Sequence, residues 1–375
     1  MNTPYSLQPA HVIGRGLACT ADNPAERLRQ WSDGTLPQWS SVAVPGYPSV
    51  ERPFGFLHGK EDPVDALDRV LDESLREAAL GSTERRNAGI VLGTSSLNIG
   101  HDEADCAQRI DSGVEPMLLE DARWGHMLDE TCARHGLRGP QYTLNTACSS
   151  SANALLYAQR MLSTGVVPAV IVIGFDAYTG ISFSGFHGML LLSQAAYRPF
   201  DARREGIVLA EGAAAAVLVR ADERAEARID GGHSAIDVTG VTNASEDSLA
   251  SVMDSALKPF SPESIRAIKA HGTGTPGNDS AESAAIQAVF GGHVPPLFSI
   301  KGGLGHTLGA CGLVELLALM DCRKAGFLPA SIGYEQADDS LPLQAMDKAM
   351  DFDGGRLLLN YFGFGGNNSS LVVSL

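Results

Sequence analysis

The sequence predicts an α/β protein whose helices pack on a mostly parallel sheet. Short runs of near-continuous apolar residues read as strands buried on both faces, and a longer segment places its apolar residues at helical spacing. The two kinds alternate along the chain, which is the pattern of helices layered on a sheet. Two distant segments also repeat one strand–turn–helix plan, which divides the chain into similar halves.

The elements follow in order. Asp65–Leu80 (DALDRVLDESLREAAL) is an amphipathic helix with carboxylates early, where they face the positive end of the helix dipole. Ala88–Gly93 (AGIVLG), Ala169–Gly174 (AVIVIG) and Ala213–Val219 (AAAAVLV) are buried strands. Tyr142–Gly165 and Phe298–Gly326 are the echoing pair. Each is a short strand, a tight turn of small residues, a helix that becomes apolar, and a terminal Gly that stops it. Small residues at a helix start allow close packing on other backbone, so both helices are expected to be buried. The halves are residues 1–220 and 221–375, the change falling near Ala221–Gly240, and no low-complexity or Pro-rich linker separates them.

Composition narrows the function. Hydrophobic residues make up 44% of the chain and charged residues 19%, a core-rich and ordered balance. A net charge of −16 argues against nucleic acid or an anionic membrane surface as the main partner. The six cysteines show no CxxC spacing, so neither a zinc site nor a disulfide framework is suggested. The first residues lack the basic flank and apolar run of a secretory signal, and no stretch approaches a membrane span. A cytosolic location is expected.

Four places carry chemistry. Cys148, in NTACSSSANAL, lies where a strand turns into a helix, and a helix N-terminus favours thiolate over thiol. The bland alternative is an inert core thiol. His271 opens HGTGTPGND on a loop of fixed shape, and His306 (IKGGLGHTLGACG) occupies the turn that echoes the one holding Cys148. Either histidine alone also fits an incidental turn residue. Lys301 sits in a small-residue turn ill-suited to a solvated face, and Glu315 falls where the helix GLVELLAL should be apolar. A buried carboxylate needs a partner, and Lys301 is the candidate. Gly363, Gly365 and Gly366 around Phe364 let backbone approach a ligand, as an oxyanion hole requires, or make a simple hairpin turn.

NTACSSSANAL, RPFDARREGIVLAEGAAAAVL, IKAHGTGTPGNDSAE, IKGGLGHTLGACGLVE and FGFGGNNSSLVV follow one another in the order found in β-ketoacyl-acyl carrier protein synthases. The chain resembles the two-histidine class of that family from about Ala88 onward, and more loosely before it (HVIGRGLACTADNP). The FGGNNSS turn and compact length are similar to ketosynthases of aryl polyene pathways. The resemblance implies a thiolase-like fold, two βαβ-based halves in a five-layer αβαβα arrangement, and an obligate dimer, either of identical chains or with a ketosynthase-like subunit. It implies that Cys148 is acylated from an acyl carrier protein and that His271 and His306 promote decarboxylation of a malonyl thioester. Lys301 would order the site through Glu315; the amides of Cys148 and Phe364 would form the oxyanion hole, with the Phe364 ring as gate. No flavin, nucleotide or metal is needed. Carrier proteins are usually acidic, so docking on this acidic chain calls for a local basic patch. Arg203–Arg204 and Arg85–Arg86 are the candidates.

Some positions depart from the family pattern. Gly302 stands where Ser is usual, Ala210 where Gly is usual, and Asn367 where Thr is usual, while Thr242–Leu257 looks shortened. The leading alternative is a chain-length-factor-like partner subunit, which typically lacks the Cys that this chain retains. A thiolase would place a second Cys in the C-terminal Gly-rich turn, an initiating His/Asn synthase would replace one His, and a metal hydrolase would need spacing such as HExxH. None of these patterns is present.

Overall fold

The computed structural model describes residues 7–21, 23–97, 99–115, 126–240 and 245–375. Its centre is ten strands: β1 (Ala10–Ala18), β2 (Gly89–Leu97), β3 (Gln141–Leu144), β4 (Ala169–Asp176), β5 (Gly212–Val219), β6 (Ala227–Ile236), β7 (Ile265–Lys269), β8 (Leu297–Phe298), β9 (Arg356–Gly363) and β10 (Asn367–Ser374). They run in the order β8-β7-β9-β10-β6-β1-β5-β4-β2-β3. The five strands β3-β2-β4-β5-β1 and the five strands β8-β7-β9-β10-β6 have one topology: subtracting five from each label of the second set gives the first. The two sets meet only where Ala10–Val12 of β1 pairs with Ala227–Ile229 of β6.

The expectation of a mostly parallel sheet needs correction. Only four of the nine neighbouring pairs are parallel, because β5 and β1, like β10 and β6, return antiparallel. The apolar run Ala213–Val219 reads like a parallel strand because helices cover both its faces, and burial on both faces dictates apolar sequence whatever the strand direction.

Helix α1 (Pro63–Ala78) covers β1 and β5 from outside. It starts where Asp62 accepts from the amides of Val64 and Asp65, with Pro63 at the first helical position, and ends at Ala79 in the left-handed conformation. Its buried side chains, among them Leu67, Val70, Leu71 and Leu75, form a single stripe. Helices α3 (Glu246–Leu257) and α4 (Pro276–Phe290) pack together on the opposite side, α3 lying on β6 and β10. Between the sheets run α2 (Ser150–Ser163) and α5 (Cys311–Lys324), the helices of the echoing segments, each closed by a left-handed Gly, Gly165 or Gly326. The arrangement is a thiolase-like α/β fold. The central helices approach closely: a Cβ on Gly312 would lie 2.4 Å from the Ala152 amide nitrogen. From Cys311 to Cys322 every residue of α5 is buried, so the helix is apolar all round except where a charge has a partner.

Candidate active site

Cys148 sits on the sharp turn between β3 and α2. Ala147 takes φ +52°, a left-handed conformation that costs an L-residue of order 1 kcal/mol and turns the next side chain away from the strand. Ser150 fixes the turn: its Oγ accepts from the Thr146 amide at 2.8 Å and donates to the Ala147 carbonyl at 2.6 Å. Helix dipole alone does not set the acidity of this cysteine. Burial pushes the Cys148 thiol up to about 12, a rise that the charge on Lys301 and the amides of Phe364 and Cys148 oppose and the Asp176 carboxylate reinforces. At neutral pH the group is a thiol, and it needs a proton acceptor within reach.

His306 lies within reach, its Nε2 3.1 Å from Cys148 Sγ. Its backbone is held on both sides, since its N–H donates to Val208 and its carbonyl accepts from Ala210. His271 leaves the end of β7, and Glu282 of α4 holds its loop by accepting from the His271 amide at 2.7 Å and the Gly272 amide at 2.9 Å. The two imidazoles meet edge to face at 5.5 Å between centroids. Cys148 Sγ and one nitrogen of each ring lie within 4.8 Å of one another. This donor set suits a thiophilic metal, and equally suits a polar group held by two N–H donors. Burial, then nearby positive charge, drives both imidazoles well below the ordinary histidine value, so both are neutral at pH 7. Neither Nδ1 has a hydrogen-bond partner among the described residues.

Behind the rings lies a buried charge cluster. Lys301 Nζ donates to Glu315 Oε1 at 2.5 Å, with both side chains at most 1% exposed. A second lysine, Lys269, donates to the other oxygen of Glu315. Burial opposes the charge on Lys301, but Glu315 outweighs it and leaves the ammonium above its usual value.

Phe364 opens the Gly-rich turn between β9 and β10. The turn requires glycine at 366, where φ is +75° and a Cβ would lie 1.9 Å from the Asp237 carbonyl oxygen. The amides of Phe364 and Cys148 both favour the charged form of Cys148 Sγ. The Phe364 ring stacks on Phe186 at 5.3 Å. Both rings line a cavity of about 120 Å³ together with Cys148, His271, His306 and Phe362.

The docking candidates fare differently. Arg203 is half exposed and paired with Asp201 and Glu335. Arg204 is not the free surface cation that its position in the sequence suggests: it is 8% exposed and its NH1 lies 2.5 Å from Asp338. Arg85 reaches the His135 carbonyl. Two departures have local reasons. A side chain on Gly302 would place its Cβ 1.9 Å from the Ile332 carbonyl oxygen, so the serine usual there does not fit this backbone. The Asn367 amide donates to the Phe364 carbonyl at 3.4 Å, bracing the turn. Of the shortened stretch, residues 242–244 lie outside the described residues, and the remainder is α3, capped by Ser245. Lys269 and Glu282 escaped sequence reading. The signal for Lys269 was a charge two residues before His271 in a strand whose other buried residues, Ile265, Ala267 and Ile268, are apolar.

Two family models match consecutive parts of the chain, "Beta-ketoacyl synthase, N-terminal domain" over residues 66–224 and "Beta-ketoacyl synthase, C-terminal domain" over residues 227–335. A 3-oxoacyl-[acyl-carrier-protein] synthase 2 of Coxiella burnetii is 28% identical over 83% of this chain and 82% of its own. A polyketide β-ketoacyl synthase of Streptomyces cyaneus is 31% identical over 84% of each chain. A chain from the complex of a ketosynthase with its chain length factor from Xenorhabdus doucetiae matches the fold with a TM-score of 0.82 and 24% identity, covering 100% of both chains.

Proposed function

The chain belongs to the β-ketoacyl synthase family, a family of condensing acyltransferases, and from that premise we propose that Cys148 carries the acyl chain while His271 and His306 drive the decarboxylative condensation. The observation that carries the reading is the convergence of the Cys148 sulfur, both imidazoles and two backbone amides on one buried point.

Chemistry proceeds in two stages. The Cys148 proton passes to His306 Nε2 as the sulfur attacks the carbonyl of an acyl-carrier thioester, and the departing carrier thiolate takes that proton back. A malonyl-carrier thioester then enters, and its carbonyl oxygen accepts from an N–H of His271 and, once the His306 proton has moved from Nδ1 to Nε2, from the Nε2–H of His306. The bond to the carboxylate breaks, carbon dioxide leaves, and its electron pair forms an enolate held by those donors. The enolate carbon attacks the acyl-Cys148 carbonyl, whose oxygen takes the amides of Cys148 and Phe364. Collapse expels the Cys148 sulfur, which takes up a proton from water by way of His306 to restore the thiol, and leaves a β-ketoacyl chain on the carrier.

Lys301 and Glu315 keep a fixed charge pair beside the rings, and Phe364 gates the acyl cavity against Phe186. We place the division of labour at 220/221, with the nucleophile in the first half and both histidines in the second. Acyl- and malonyl-loaded carrier proteins are the substrates, in fatty acid or polyketide synthesis in the cytoplasm, with the half-exposed Arg203 as the remaining docking candidate. Support for a dimer comes from the outer edge of the sheet, where β3 presents Tyr142 40% exposed; the second subunit is this chain or another ketosynthase-like one. Release of labelled carbon dioxide from malonyl-carrier protein tests the histidine roles. His271→Ala and His306→Ala should each suppress release, and undiminished release in either variant would refute its assignment.

A further inference from the structure

We infer that Lys269 is a positioning residue of this site: it shares Glu315 with Lys301 and places a second fixed positive charge behind His271 and His306. The inference rests on the ketosynthase reading above. Lys269 ends β7, two residues before His271, so the alternation of an extended chain sends both side chains to one side. Lys269 is fully buried. Its Nζ donates to Glu315 Oε2 and, at 3.0 Å, to the Asn360 carbonyl, and lies 3.6 Å from the centroid of the Tyr361 ring.

One carboxylate therefore bonds two ammoniums, and a second buried carboxylate, Glu282, acts on Lys269 electrostatically without bonding it. Glu282 is engaged by the amides of His271 and Gly272 and by the Asn360 side chain. Burial keeps the Cys311 thiol and the Tyr361 hydroxyl protonated. A single Lys–Glu pair would present only a dipole to the rings; the second lysine adds a positive charge that both imidazoles feel in a site of low dielectric. That charge has two consequences for the chemistry. It keeps His306 unprotonated and ready to take the Cys148 proton, adding to burial and to Lys301. It also favours the enolate oxygen that forms during decarboxylation. Burial, against the pull of Glu315 and with repulsion from Lys301, brings the Lys269 ammonium itself down to about 8, so this charge is lost under mildly alkaline conditions.

The test is the pH profile of carbon dioxide release from malonyl-carrier protein by the full chain and its K269R, K269Q and K269M variants, with Cys148 acylation followed in parallel by intact mass. Without the positive charge the imidazoles protonate more readily, so the acid limb of K269Q and K269M should move to higher pH by on the order of one unit. K269R should keep the wild-type acid limb and hold its activity above pH 8, because a guanidinium does not deprotonate there. Folded neutral variants with the wild-type acid limb and a uniformly lower rate would overturn the inference and leave Lys269 a packing residue. If neither neutral variant folds, an NMR titration of the wild-type histidines decides. His271 and His306 should titrate below the ordinary histidine value, and their resonances should also report a step near pH 8 as Lys269 loses its proton; titration at the ordinary value, or the absence of that step, would overturn the inference. A wild-type chain that neither acylates Cys148 nor releases carbon dioxide would instead sink the ketosynthase reading, and the inference with it.

Discussion

Replacing Glu315 by Gln removes one negative charge and leaves the shape of the side chain nearly intact. In the native protein that carboxylate takes Lys301 Nζ on one oxygen and Lys269 Nζ on the other, with all three side chains at most 1% exposed. Removing one partner from a buried ion pair costs about 3–5 kcal/mol, so the variant should lose that much stability at pH 7. The loss should depend on pH in a defined way. The Lys269 ammonium already lies at about 8, below its unfolded value, so its contribution to native stability is flat below pH 8 and rises above it as the unfolded state holds the extra proton. In the variant Lys269 gives up its proton at still lower pH, and the same rise begins earlier. The gap between the two proteins should therefore narrow by about 1.4 kcal/mol per unit up to pH 8 and then stay constant. Urea unfolding at pH 6, 7, 8 and 9 measures this directly. A gap below about 1 kcal/mol that ignores pH would show that Glu315 does not compensate two buried ammoniums.

Two further perturbations probe other parts of the site. Alkylation of Cys148 by iodoacetamide should accelerate continuously from pH 7 to 10, because the thiol is pushed up to about 12, and His306→Ala should slow it at pH 7; a plateau near the ordinary thiol value of about 8.5 would contradict the burial argument. Gly366→Ala forces a Cβ against the Asp237 carbonyl at φ +75°, so it should cost about 1–3 kcal/mol in urea unfolding and slow condensation by displacing the Phe364 amide; wild-type stability with wild-type turnover would mean the turn tolerates the change.

Much of the fold was legible because burial writes itself into sequence. The apolar stripe of Asp65–Leu80 marked α1 to within two residues, and Ala169–Gly174 gave most of β4. Strand direction was not legible, since Ala213–Val219 is apolar through double burial and says nothing of its neighbours' polarity. Cys148, His271, His306, Lys301 and Glu315 were readable as residues because each breaks a local rule, a charge or ring among small or apolar neighbours. Their convergence depends on contacts between residues up to 158 positions apart, such as His306 with Cys148, which no local pattern encodes. Lys269 was hidden because its charge is matched by a carboxylate 46 residues away, and Arg204 misled because its partner, Asp338, lies 134 residues away.

The central claim is that Cys148 is the nucleophile, and intact-mass analysis after incubation with an acyl-carrier protein tests it most directly. The account predicts a single acyl adduct that maps to Cys148, disappears in Cys148→Ala, and is discharged when malonyl-carrier protein is added. An adduct that survives Cys148→Ala, or one that forms only on an added ketosynthase-like subunit, would contradict it.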